Sequence, residues 1–234
     1  MNPPLEIAPA SSPEPDLPVV RAFALAPHQL HDLRGSAETA AGVGELRYPA
    51  RTALVVAGIP GAGKSTALHT FFGTPAEADA PARSAQGALV VDSQQSRVRL
   101  RRTLDWLPYP LWRPIMHVRH YAAVRAALRG AAGPVVIHDC ATYRWSRRMI
   151  ARWTAAAGRE LHVVMLDVAP EVARAGQRAR GRRINPVTFA LHCRRWRGLV
   201  ADAVRDTAAP GPTASTVLTD RAALNRLQRI TFED

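Results

Sequence analysis

Residues 58–65 read Gly-Ile-Pro-Gly-Ala-Gly-Lys-Ser, with Thr66 next. Glycines at 58, 61 and 63 let the backbone take conformations closed to other residues and approach foreign oxygen atoms closely. Successive N–H groups of such a loop point into one anion-binding concavity, and a helix starting there adds its positive end. The spacing Gly-x-x-x-x-Gly-Lys-Ser is that of a phosphate-binding P-loop. Residues Gly58, Ile59, Pro60, Gly61, Ala62, Gly63, Lys64, Ser65 and Thr66 are therefore expected to cradle a nucleoside triphosphate. Lys64 would reach the β- and γ-phosphates, and the Ser65 hydroxyl would ligate Mg²⁺. Lys64 is the only lysine of the chain, and it sits where a compact ammonium is needed rather than a broad guanidinium.

Further groups suited to phosphate chemistry follow. Asp92 opens the stretch Asp-Ser-Gln-Gln-Ser-Arg, which ends at Arg97. A carboxylate there could take the proton of a hydroxyl as it attacks a γ-phosphate, and Arg97 could hold the acceptor's phosphate or charge. The same aspartate could instead cap a helix. Asp139, at the end of Val-Val-Ile-His-Asp, reads as an acid that holds magnesium directly or through water, again with a helix cap as the alternative. His138 beside it reads as a core or supporting histidine. Residues 174–183 hold five arginines in ten positions. Arg174 and Arg178 share a helical face, and an arginine from such a segment can stabilise a transferring phosphoryl group. A solvated basic helix end is the plainer reading. Trp106, Pro108, Tyr109, Pro110, Trp112 and Pro114 resist a regular assignment. They suit either a stacking wall of an acceptor pocket or an apolar clasp on the core.

These groups need elements to position them. Short apolar runs over 53–57, 88–91, 135–138, 161–166 and 216–218 predict five strands, the continuous runs suiting strands buried on both faces. Helices are predicted over 65–72, 117–129, 143–157, 170–180, 187–204 and 222–230. This alternation implies an α/β fold in three layers, α/β/α, with a five-stranded, mainly parallel sheet and an arginine-rich helical lid. Ligands then sit beyond the carboxyl ends of the strands, where Asp92, Asp139 and Asp167 all stand. Residues 1–18, rich in Pro, Ala, Ser and acids, read as a disordered tail; 19–50 as an N-terminal embellishment; 51–234 as the nucleotide-binding domain.

The chain has 234 residues, 47% of them apolar, and a formal net charge of +12. That charge suits a nucleic-acid or other polyanionic partner. Yet every basic residue but Lys64 is arginine, which is also the mark of a coding bias, and both readings stay open. No apolar run reaches the roughly 18 residues needed to span a bilayer. The N-terminus lacks a basic start followed by an apolar stretch. A cytoplasmic protein is expected. Cys140 and Cys193 lie far apart with no Cys/His cluster beside them, as two free thiols would.

The order of these motifs resembles the small P-loop kinases of the polynucleotide kinase and zeta-toxin type, often grouped as AAA-like ATP-binding domains, over about 52–230. In polynucleotide kinases an Asp-x-x-Arg follows the P-loop, its Asp a general base and its Arg a substrate contact. Asp92 fits that place, and Arg97 stands two positions further than the pattern asks. Their Asp-Thr or Asp-Asn after an apolar strand resembles Asp139-Cys140. Their lid arginine before a glycine, with a Pro opening the next helix, resembles Arg180-Gly181 and Pro186. The resemblance implies ATP and Mg²⁺ as cofactors, Arg180 as the lid arginine with Arg178 and Arg183 behind it, and transfer to a hydroxyl acceptor. A nucleotide-dependent switch or weak ATPase, and a nucleic-acid-binding module, are the rival expectations.

Overall fold

The structure, a computed structural model, describes residues 23–35, 42–179, 181, 184–206 and 213–233. The proposed tail over 1–18 lies outside them. In chain order the described elements are β1 (Phe23–Leu25), β2 (Gln29–Asp32), β3 (Val43–Pro49), β4 (Thr52–Ala57), α1 (Lys64–Phe72), β5 (Ala82–Arg83), β6 (Leu89–Val91), α2 (Ser93–Leu104), α3 (Tyr109–Gly130), β7 (Val135–His138), α4 (Arg144–Ala156), β8 (Glu160–Leu166), α5 (Pro170–Ala179), α6 (Pro186–Asp206), β9 (Ser215–Thr219), α7 (Arg221–Arg226) and β10 (Arg229–Glu233).

Every residue of β4 is buried, as its unbroken apolar run requires. It lies between β7 and β8, parallel to both. The main sheet runs β2-β9-β8-β4-β7-β6-β5; only the two-residue β5 is antiparallel, to β6. The five predicted strands form its middle. One face, carrying Val55 and Ala57, packs against α3, α4 and α6 through residues such as Leu128, Ile150 and Leu199. The other, carrying Leu54 and Val56, packs against α1 through Leu68, Phe71 and Phe72. On that second face lies a small parallel sheet, β1-β3-β10, with Leu46, Tyr48 and Ile230 in the shared core.

Three expectations change. The sheet has seven strands rather than five. The extra edge strand β2 and the small sheet come largely from 23–49, so this segment is built into both sheets. Ile230, placed in a helix by its local spacing, lies in β10, whose register with β3 runs from Arg229↔Glu45 to Glu233↔Pro49; pairing with a distant strand overrides local helical preference. The Trp/Pro stretch is the bend of a helical hairpin, with α2 running to Leu104 and α3 starting at Tyr109. Pro108 precedes the first turn and Pro110 lies within it, where a missing N–H costs little. Trp112 is buried against Leu100 and Met116 and its indole donates to the Leu107 carbonyl at 3.2 Å.

Arg159, buried, stands behind α3. It donates to the carbonyls of Leu128 (2.9 Å), Gly133 (2.8 Å) and Ala131, filling acceptors that a helix end leaves open. Among the described residues no helix is long and apolar enough to cross a membrane.

Candidate functional site

The glycine loop leaves β4 at its carboxyl end and turns directly into α1. Gly63 stands at the helix start in a left-handed conformation (φ 113°), with no side chain capping the first turn. The end of α1 therefore presents backbone donors and positive potential. A Cβ on Gly58 would sit 2.9 Å from the Leu166 carbonyl oxygen, and one on Gly61 (φ 92°) would lie 2.2 Å from that of Ala173. The second contact shows that α5 rests on the loop. Gln177 adds a hydrogen bond from its side-chain amide to the Pro60 carbonyl at 2.8 Å, and a Cβ on Gly176 would fall 2.7 Å from the Gly61 oxygen.

Lys64 is buried. Its ammonium donates to the carbonyls of Gly58 (2.6 Å) and Ile59 (3.0 Å) and also meets Cys140. Burial, joined by the Asp139 charge, pushes the Cys140 thiol up, while Lys64 draws it down. Both cysteines are free. Ser65 and Thr66 line a cavity of about 270 Å³ together with His69, Asp92, Gln94 and Gln95, so the start of α1 and the end of β6 face one space.

Asp92 caps α2. Its carboxylate accepts from the Gln94 N–H at 2.9 Å, and the Gln95 side chain accepts from the Asp92 N–H at 3.0 Å, a reciprocal capping box. His138 Nδ1 also donates to it at short range. Burial pushes this carboxyl up, but the His138 charge and hydrogen bond and the Gln94 N–H outweigh it, so Asp92 is held well below the usual carboxylate range. The sequence offered the capping role and the chemical role as alternatives; the structure gives the cap and leaves the carboxylate on the cavity wall. His138 is the supporting group it was read as. That it would pair with Asp92 across two strands is not visible in a linear pattern.

Asp139 follows β7, with its N–H on the Val56 carbonyl at 3.3 Å. The Tyr121 hydroxyl lies 3.4 Å from each of its carboxylate oxygens. The sequence placed Tyr121 only on the apolar stripe of its helix. Asp167, expected with the other two acids, is already engaged: it accepts from Arg34 at 2.7 Å and from the Trp196 indole at 2.9 Å. Arg34 is a site-edge residue that the N-terminal segment hid from sequence reading.

Arg97 lies over the Tyr109 ring at 4.8 Å, where it ties α2 to α3. Arg174 lies over Phe189 at 5.1 Å, tying α5 to α6. Arg178 is exposed near the end of α5. Arg180 and Arg183 lie outside the described residues. Asn185 accepts from the N–H groups of Val187 (2.9 Å) and Thr188 (3.3 Å), capping α6 with Pro186 in its first turn. Among the described residues no three His, Cys, Asp or Glu side chains gather to hold a metal by themselves.

A family model described as an AAA domain matches residues 54–198, more than half of the chain. No curated protein matches the sequence. Several solved structures do resemble it. A proposed kinase from Chloroflexus aurantiacus j-10-fl is 16% identical, with 73% of this chain and 86% of that one covered and a TM-score of 0.47. A gluconokinase from Sinorhizobium meliloti 1021 is 18% identical, with 77% and 89% covered and a TM-score of 0.43. The tunicamycin resistance protein of Deinococcus radiodurans is 20% identical, with 66% and 84% covered and a TM-score of 0.41.

Proposed function

This chain belongs to the AAA domain family, and from that premise we propose that it is an ATP-dependent phosphotransferase acting on a hydroxyl group. The observation that carries the reading is the shared cavity, in which Ser65 at the start of α1 and Asp92 at the end of β6 line one space. The P-loop amides and Lys64 hold the phosphates. Gly61 and Gly58 fit that task, since a Cβ at either would strike a neighbouring carbonyl. The Ser65 hydroxyl and the Asp139 carboxylate are hard oxygen donors of the kind magnesium takes, and substrate phosphates and water complete such a set. Magnesium, when bound, neutralises charge growing on the β- and γ-phosphate oxygens.

In the transfer, the acceptor oxygen bonds the γ-phosphorus as its bond to the β,γ-bridging oxygen breaks. ADP leaves with that electron pair, and the hydroxyl proton passes to Asp92. The family resemblance implies Arg180 as the lid cation, with Arg178 and Arg183 behind it, and Arg97 stands by as a contact for acceptor charge. Incubation with γ-labelled ATP and a panel of 5′-hydroxyl oligonucleotides, nucleosides, amino sugars and hydroxy acids tests the reading. Label should appear on at least one acceptor; turnover to free phosphate alone sinks it.

One observation favours a second reading, a weak ATPase that acts as a switch. Asp92 is already bonded to His138 and to its own helix, which makes it a weak base. Asp92→Asn separates the two, because asparagine caps helices as well as aspartate does. Transfer should fall by about 10²-fold or more in that variant if Asp92 takes the proton, with the helix cap kept. A switch would keep its nucleotide turnover.

A further inference from the structure

A second and larger cavity, of about 600 Å³, opens between the main sheet and α4. Protein interiors hold few voids larger than a water molecule, and this volume falls within the ~300–1,000 Å³ of ligand pockets. Its floor is built in layers set by strand register. Ala57 pairs with Met165 at the carboxyl ends; Val55, Val163 and Thr216 stand in register two residues lower. Leu161 lies lower again, about 13 Å from Met165 at the rise of a strand. Val163 is only half-buried although it sits mid-strand between two neighbours, because its side chain borders this space.

Three features show what would fill it. The lower walls are apolar. Two hydroxyls on its lining, Thr213 Oγ1 and Thr216 Oγ1, are buried without a hydrogen-bond partner, and Thr216 is 1% exposed. Along one side run Arg144, Arg148 and Arg152, spaced i, i+4, i+8 on one face of α4 over about 12 Å. Arg147 joins them and donates to the Ala141 carbonyl at 2.7 Å. Among the described residues none of these four arginines forms an ion pair. The upper end is closed by Asp139 and Ala57, the residues that border the P-loop.

We propose that this cavity, separate from the Ser65/Asp92 space of the transfer step, binds an amphiphilic hydroxy acid. Its hydroxyl lies at the Asp139 end, its apolar body along Val55, Val163 and Leu161, and its anionic group on the arginine row of α4. The unpaired Thr216 hydroxyl gives a polar occupant a hydrogen bond at mid-depth. Crowding supports the anion: burial first, then the charges of Arg144 and Arg148, lower the proton affinity of Arg147, a strain that a bound anion relieves.

Titration calorimetry of the full chain without nucleotide tests it, with ω-hydroxydodecanoate, dodecanol and a 5′-hydroxyl oligonucleotide as probes. The hydroxy acid should bind, and dodecanol should bind about tenfold more weakly for want of its charge. The double variant Arg148→Ala/Arg152→Ala, both exposed positions, should lose a similar factor for the acid and none for the alcohol. Val163→Trp should abolish binding of both; if its melting curve shows it unfolded, Thr216→Leu blocks the same layer. No binding of the acid to folded protein, equal affinity for acid and alcohol, or binding of the oligonucleotide alone would overturn the assignment. Because no nucleotide is present, a failure here is distinct from a failure of labelled transfer, which would strike the enzymatic reading instead.

Discussion

The Lys64 ammonium holds the loop that it serves, bridging the Gly58 and Ile59 carbonyls from within. Lys64→Ala should therefore do two things. Nucleotide-dependent turnover should vanish, and stability should drop by about 1–3 kcal/mol, the cost of leaving buried acceptors without donors. Activity and chemical denaturation measured on one preparation check both, and preserved turnover would remove Lys64 from the chemistry. At this scale the motif was fully legible, since loop, lysine and serine are local in sequence and carry their geometry with them. Asp92 was legible only as a pair of alternatives. Whether an aspartate at a strand end serves a helix or a reaction depends on what faces it, and His138 arrives from another strand. Tyr121 on Asp139 and Arg34 on Asp167 were hidden for the same reason.

Among elements, the five inner strands could be read because parallel strands covered on both faces must be apolar throughout. The edges could not. β2 and β5 are short and half-exposed, and β10 exists because β3 offers it a partner. Glu45 shows how that small sheet is locked. Its buried carboxylate meets Arg47 (3.1 Å) and, from β10, Arg229 and Thr231 (2.8 Å each). Burial pushes its pKa up, but these bonds prevail and hold it at about 2 rather than 4.5. A carboxyl depressed on folding stabilises the native state above its unfolded pKa and ceases to as pH falls through the folded one. Denaturation midpoints should thus decline between pH 4.5 and 2, and Glu45→Gln should flatten that part of the curve. The junction of α5 with the loop makes a second prediction. Gly61→Ala forces a methyl to within 2.2 Å of the Ala173 oxygen in a left-handed conformation, which should cost about 3 kcal/mol. Calorimetry with a non-hydrolysable ATP analogue should show nucleotide affinity lost together with stability.

In the whole molecule, the described strands of 23–49 enter both sheets. β2 extends the edge next to β9, and Arg34 joins Asp32 to Asp167, so what sequence alone treats as an appendage closes the rim of the site. Buried histidines set a common pH limit. Burial chiefly, and nearby cations for His192, lower His120 and His192 to about 4 from 6.5, and neither ring nitrogen of His120 has a partner. The unfolded chain takes up these protons first as pH falls, so stability is complete above about 6.5 and drains away toward 4. Thermal melts at pH 7 and pH 5 should show the loss, and His192→Gln should reduce it. The contact between Gly61 and Gly176 has an evolutionary side. Two positions far apart in the gene come together, a Cβ on Gly176 meeting the Gly61 carbonyl and one on Gly61 meeting the Ala173 carbonyl and the Gln177 side chain. Among descendants of this sequence each should stay glycine on its own account, since a change at one leaves the obstacle to the other in place.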